Sequence, residues 1–243
     1  MASSDREMVR EIREICGPFD HYGHVVSDIQ KAMDDYLAIG IGPWFFITKD
    51  RMDRWDEQAK AGGGRKGKLR ATQLHYGEPT AYRALIAFSF NAETGIELIQ
   101  PYNDEPSCHN DWLKARGNGL QHINFTVPRE KYVELIDSCM AAGWVPSIQL
   151  IEGDGKPGIG PPGNPNMPTV HYFDLMKEFG FHIELECGPN LEGGAYAEEE
   201  RWHSYMCHLS RTWDGATEPI RYTFPEVPDD FQPDPLRGRA SLG

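Results

Sequence analysis

The feature that most constrains this chain is a pattern of elements that occurs twice. FDHYGHVV (19–26) is a β-branched and aromatic run of strand length. Ser27 and Gln30 follow at capping-box spacing. Ile29, Ala32, Met33, Tyr36 and Leu37 then fall on one helical face, and Gly40 and Gly42 end the helix. About a hundred residues later the order returns. LQHINFTV (120–127) reads as a strand, residues 129–142 place Tyr132, Leu135, Ile136, Cys139 and Met140 on one face, and Gly143 closes the helix. More strand-like sequence follows each helix: ALIAFSF and GIELIQP in the first half, TVHYFDL and FHIELEC in the second. An internal duplication accounts for this order, and its two copies must bury their apolar faces together.

Within these strands stand polar residues that a core would reject. The first strand of each half carries a histidine, His21 and His122, and the last strand carries a glutamate, Glu97 and Glu184. Strand side chains alternate faces, so Glu97 points opposite Ile96 and Leu98, and Glu184 opposite Ile183 and Leu185. A single strand histidine or glutamate is ordinarily a satisfied or solvent-facing residue. The matched order His…Glu…His…Glu is what singles these four out. Two imidazoles and two carboxylates converging from equivalent halves make a site for one divalent metal ion, with Zn, Ni, Co, Mn or Fe(II) all compatible. Burying two carboxylates together without a cation would be costly. By alternation Asn124 and Tyr172 share the metal side of their strands and are candidate substrate contacts. His24 falls on the opposite face, and His75, His109, His171, His203 and His208 have no counterpart in the other half. The cysteines follow no repeat logic, which makes them packing residues.

Composition removes other classes of function. Lys and Arg number 24 against 37 Asp and Glu, a formal charge of −13, which repels phosphate backbones. The one basic cluster, GGGRKGKLR (62–70), is short and glycine-rich, so no nucleic-acid partner is expected. No apolar run approaches the ~18–20 residues of a membrane helix, and no membrane partner is expected either. Five cysteines without CxxC spacing give neither a disulfide framework nor a zinc finger. The N-terminus lacks an apolar signal core, and a cytoplasmic location is expected. Residues 1–18 read as an N-terminal helical extension, 19–188 as the duplicated domain, and 189–243 as a C-terminal helix and Pro-rich tail. The helix candidate spans 196–213, where Trp202, Tyr205, Met206, Leu209 and Trp213 form a stripe for packing on the core or a dimer surface. Two long loops, 50–68 and 153–168, are the expected specificity elements.

FDHYGHVVSDIQKAM, GIELIQPYNDE, GLQHINFTV and HIELE resemble the metal-bearing strands of the vicinal oxygen chelate superfamily. That superfamily includes glyoxalase I, bleomycin-resistance proteins, extradiol dioxygenases and methylmalonyl-CoA epimerase. The likeness is nearest to the epimerase-like branch, through Asp20-His21, the PYND stretch at Pro101–Asp104 and the GLxH at Gly119–His122, and it covers about residues 19–188. It implies an α+β fold of two tandem βαβββ modules, 19–105 and 119–188. These form a curled mixed sheet around a metal cavity, with a C-terminal helix and tail added. The resemblance places the metal ligands on His21, Glu97, His122 and Glu184; the epimerase usually has Gln where this chain has Glu97. It implies a homodimer and a small-molecule or acyl-thioester substrate.

The chemistry so implied is isomerisation, epimerisation or lysis, in which a proton is abstracted next to a carbonyl and the metal stabilises the enolate. Two carboxylates compete for the role of base. Glu184 is one, leaving the metal to act; Glu78 in HYGEPTAY is the other, with an ordinary loop carboxylate as its plainer reading. Arg65, Lys66 and Lys68 either meet an anionic substrate tail or form a solvated loop. Two alternatives stand beside this reading: an Fe(II) extradiol-type dioxygenase, which a fourth protein ligand disfavours, and a non-enzymatic small-molecule binding protein of the same fold.

Overall fold

A computed structural model describes residues 3–50, 72–90, 94–151, 167–188, 195–213, 221–223 and 227–232. The loops expected at 50–68 and 153–168, with Arg65, Lys66 and Lys68, lie almost wholly outside the described residues, as does the end of the tail. The first half contains α1 (Ser3–Cys16), β1 (His21–Val25), α2 (Ile29–Ala38), β2 (Trp44–Ile47), β3 (Thr72–His75), β4 (Glu78–Pro79), β5 (Ala84–Phe90) and β6 (Gly95–Pro101). After α3 (Cys108–Arg116), the second half contains β7 (Gly119–Val127), α4 (Tyr132–Ala141), β8 (Pro146–Ile151), β9 (Val170–Leu175) and β10 (Phe181–Cys187). The chain then adds α5 (Ala195–Thr212) and β11 (Arg221–Thr223).

The strands form one open mixed sheet in the order β11-β2-β5-β6-β1-β7-β10-β9-β8-β3-β4. The duplication is visible in that order. Four strands of the first half, β2-β5-β6-β1, and four of the second, β7-β10-β9-β8, stand together, and in each set the first and last in sequence run parallel side by side, β1 with β6 and β7 with β10. The halves join where β1 runs antiparallel to β7. The α+β class and paired modules agree with the sequence reading. Residues from β5, β6, β8 and β9 line one cavity although β5 and β8 lie far apart in the sheet, so the sheet curls.

The convex faces carry helices. On the first half, Ile29 and Met33 of α2 pack against Trp44, Ala87 and Leu98. On the second, α1 and α4 share a core: Met8, Ile12 and Cys16 meet Tyr132, Leu135, Ile136, Phe125, Phe173 and Leu185. Of the stripe expected on 196–213, Met206 and Leu209 pack inward, and the Trp202 side chain lies outside the described residues. Met206, Cys207 and Leu209 of α5 meet Phe45, Ile86, Phe88 and Phe90, on the face of β5 that shares Glu97 through the Phe88–Glu97 pairing.

Three local features differ from the sequence reading. The N-cap of α2 is Asp28, whose carboxylate accepts from the Lys31 amide at 3.0 Å, while the Ser27 amide donates to Asn118 Oδ1. Helix α3 was not anticipated, although Ser107 caps it through the Asn110 amide and Gly117 ends it at φ 75°. The third is pairing at the edges: β3 leaves the first half and pairs with β8 of the second, and β11, in the supposed tail, pairs with β2. Both outer strands of the duplicated sheet are thereby covered, and the open sheet ends on the short strands β11 and β4, which blunts edges that would invite association.

Ile12 is fully buried in the core shared by α1 and α4. Ile12→Ala is expected to lower the unfolding free energy by ~2–5 kcal/mol in a denaturant titration; an unchanged midpoint would show that α1 is not part of the cooperative unit.

Candidate metal centre

The four central strands, β6-β1-β7-β10, each deliver one donor. Register brings them together. Gly23 pairs with both Glu97 and His122, and Asn124 pairs with both His21 and Glu184. The two rows lie side by side, so the donors converge across the β1–β7 join. His21 Nε2 lies 3.5 Å from Glu97 Oε2 and 3.5 Å from Glu184 Oε2. His122 Nε2 lies 3.3 and 3.2 Å from the same two oxygens. All four atoms fall within 4.8 Å of one another, and all four residues are buried.

Each inward atom lacks a hydrogen-bond partner in spite of its burial. Four orphaned donors of N₂O₂ chemistry, gathered in one buried cluster, fit a divalent cation. The structure thus brings together the four residues singled out from sequence into a cluster that can hold a metal.

The outward nitrogens explain why the inward ones are available. His21 Nδ1–H donates to Asp20 Oδ2 at 3.0 Å, and His122 Nδ1–H donates to Gln121 Oε1 at 2.7 Å. Because both partners are oxygens, Nδ1 must carry the hydrogen, and Nε2 keeps its lone pair in the neutral ring. Consecutive strand residues normally face opposite ways. At β7 a bulge opposite Gly23 and His24 leaves Gln121 out of the ladder, and its amide can turn to its neighbour's ring. Gln121 Nε2 also reaches Cys108 Sγ at 3.4 Å. Sequence reasoning missed both orienting residues, although each immediately precedes its histidine.

Gly23 makes room for this arrangement. A Cβ at position 23 would lie 1.7 Å from His122 Cε1. The equivalent position in the second half is Asn124, fully buried, with neither amide oxygen nor amide nitrogen hydrogen-bonded. Tyr172 is buried opposite Glu184, its ring 4.9 Å from that of His122. Burial, then the charges of Glu184 and Glu97, push its phenol well above the usual range. Glu78 sits exposed on β4 opposite His75, outside the four-donor cluster and the cavity lining.

Three other histidines of the sheet, half-buried His24 and buried His171 and His182, have ordinary roles. His24 meets Tyr36 Oη at 2.6 Å on the helix side, His171 meets Tyr132 Oη at 2.8 Å, and His182 meets Ser147 Oγ at 2.9 Å. His109 is different. It is buried on α3, lines the cavity with Glu97 and Tyr172, and neither of its ring nitrogens is hydrogen-bonded. Burial and the neighbouring His122 push it down to about 3, so it is neutral at physiological pH.

The electrostatics of the cluster follow from charge balance. Burial alone would lower His21, but Asp20, Glu184 and Glu97 outweigh it and hold the ring well above its usual range. His122 is raised likewise by Glu184 and Glu97 against burial. Burial would raise Glu97, yet His122 and His21 draw it down to about 2, and Glu184 is held well below its usual value in the same way. Two carboxylates are thus balanced by two imidazolium protons, or by one divalent cation with both rings neutral.

Residues 20–159 match the sequence model of the glyoxalase/bleomycin resistance protein/dioxygenase superfamily. No curated protein matches the chain. Among solved structures it is similar to a hypothetical protein from Bacillus halodurans C-125, with 19% identity, TM-score 0.42, and coverage of 71% of this chain and 95% of that one. It is also similar to methylmalonyl-CoA epimerase from Mycobacterium tuberculosis (14% identity, TM-score 0.41, 71% and 89% covered). The Streptomyces coelicolor methylmalonyl-CoA epimerase in complex with 2-nitronate-propionyl-CoA is a further likeness (16%, 0.40, 70% and 92%).

Two outcomes are expected. Gly23→Ala should displace the His122 ring, destabilising the protein by ~1–3 kcal/mol or more and abolishing most metal retention; a wild-type metal content would contradict the crowding argument. Metal uptake should release protons from the raised imidazoles, up to about two per ion, so affinity should fall as pH drops through their range. For the metal-free chain the signs are opposite at the two ends. The carboxylates' contribution is present above their ordinary range and is lost as pH falls through their lowered values. The histidines' contribution is present below their ordinary range and is lost as pH rises through their raised values. Metal titrations by calorimetry in buffers of differing ionisation heat would count the protons; none released would show that the rings are neutral beforehand.

Proposed function

The chain belongs to the glyoxalase/bleomycin resistance protein/dioxygenase superfamily, and from that premise we propose that it is a divalent-metal-dependent isomerase or epimerase, or a lyase. It would act on a small molecule or acyl thioester by moving a proton at the carbon beside a carbonyl. The observation that carries this reading is the convergence of four buried, unpartnered donors from both halves on one point.

His21, Glu97, His122 and Glu184 would hold the ion, with Asp20 and Gln121 fixing the imidazole tautomers. When bound, a divalent cation supplies the positive charge that polarises a substrate oxygen and eases carbanion formation next to it. The Glu184 carboxylate is assigned the base: released from the ion, it takes the proton from carbon and returns it before it would bind the ion again. Tyr172, kept protonated by its surroundings, is an O–H donor for a substrate oxygen, and the Asn124 amide offers a donor and an acceptor on the same face. Glu78 has no role in this reading because it is exposed on β4. The cavity beside Glu97 has a volume of ≈ 20 Å³, room for roughly one water-sized group, which suits the oxygen-bearing end of a substrate. The presence of Glu97 as well as Glu184 weighs against an Fe(II) dioxygenase, since that chemistry needs open positions for dioxygen and substrate.

Elemental analysis of purified wild type should find about one divalent metal per chain, and the double variant His122→Ala, Glu184→Ala should hold none. With a panel of 2-substituted acyl thioesters and 2-hydroxy carbonyl compounds in D₂O, NMR should show exchange of the proton next to the carbonyl. In metal-saturated Glu184→Gln that exchange should slow by ~10²–10⁴-fold. A wild type that takes up no metal on reconstitution would sink the enzyme reading in favour of a binding protein, and a bound, air-sensitive iron would favour the oxygenase.

A further inference from the structure

His109 breaks the two-fold pattern of the site. It stands on α3, in the connection between the halves, and no residue of the second half corresponds to it. A neutral imidazole carries one donor and one acceptor, and leaving both unmatched in a buried place costs free energy. Both nitrogens of His109 are unmatched.

Its place is firmly built. Ser107 caps the helix, and Asn110 donates from Nδ2 to the carbonyls of Asn103 and Glu105. Thr80 Oγ1 donates to the Pro106 carbonyl, and Trp112 packs with Val25, Tyr82 and Ile99. The His109 ring is held among aromatic rings in tilted and edge-on contacts: Tyr82 at 5.3 Å, Tyr172 at 5.4 Å and His122 at 6.3 Å between centroids. A fixed, uncharged, unsatisfied hydrogen-bonding group thus faces the cavity beside Glu97 and Tyr172, whose remaining walls include Ala84, Ile86, Ile99, Ile148 and Leu150.

We propose that His109 is a substrate-binding residue: it hydrogen-bonds an oxygen of the substrate other than the one that reaches the four-donor centre. This rests on the metal reading given above. It selects short carbonyl compounds or acids that carry an additional hydroxyl or oxo group, the one water-sized group for which the cavity at His109 has room. Because the group is present on one side only, a substrate is bound in one of the two orientations that the pseudo-symmetric donors would otherwise allow.

The test uses the full chain loaded with cobalt(II), whose visible bands report ligand arrival, titrated with butyrate, 2-hydroxybutyrate and 3-hydroxybutyrate. Wild type should bind at least one hydroxybutyrate about tenfold more tightly than butyrate, the ratio expected for one hydrogen bond to a buried group. His109→Phe should bring that ratio to about one while leaving cobalt content and butyrate affinity unchanged, and His109→Gln should keep it within about threefold. If His109→Phe does not fold, His109→Met against His109→Gln makes the same comparison. A preference that survives in the apolar variant, or no preference in wild type, overturns the assignment. So does an equal loss for butyrate and the hydroxy acids, because the residue would then act through the metal site. Failure of wild type to take up cobalt would instead identify the metal reading as wrong, and this proposal would fall with it.

Discussion

Two carboxylates buried within ion-pair distance of the same two imidazoles are the constraint on which this architecture depends. An isolated ionised carboxylate in a protein interior is costly, and two close together are more so. The pair needs two compensating positive charges, as imidazolium protons or as one divalent cation. Either solution requires donors placed to a fraction of an ångström, which strands supply better than loops. The four donors stand on the four central strands, where ladder hydrogen bonds on both sides leave the backbone little freedom.

Duplication makes that placement economical. One module delivers a histidine from its first strand and a glutamate from the parallel strand beside it. Joining two such modules through antiparallel β1 and β7 sets the halves face to face about the join. The symmetry is broken at two places around the cluster. Gly23 yields its volume to the His122 ring, whereas its counterpart Asn124 keeps a side chain opposite His21. Helix α3 adds His109 on one side alone, and α5 covers the inner face of β2 and β5. The PYND stretch also acquires a structural role. Asn103 accepts from the Arg83 amide, donates to the Ala81 carbonyl and accepts on its own carbonyl from Asn110, which fixes the approach to α3.

Much of this was legible along the chain because it is periodic. Alternation in GIELIQP and FHIELEC set Glu97 and Glu184 apart from their apolar neighbours, and helical spacing marked the buried stripes of α2 and α4, except Met140, which is exposed at the end of the α4 stripe. Helix α3 escaped because its buried residues include His109 and Asn110, so no apolar stripe announces it. Only Ser107 and Gly117 marked its ends. The inward packing of α5 was equally hidden, since an apolar stripe states that a face is buried and not against what.

What the sequence determined by itself is the repeat, the α+β character and which four residues the cluster contains, since all three are written in local order and spacing. The tertiary structure decided what depends on residues distant in the chain. It set the crossing of β3 to the edge of β8, the role of β11, the clearance at Gly23 and the exposure of Glu78. It also decided that His109 would face the donors with nothing to bond. Register, curl and edge pairing come from the energy of the whole sheet, and a local pattern of residues carries no record of them.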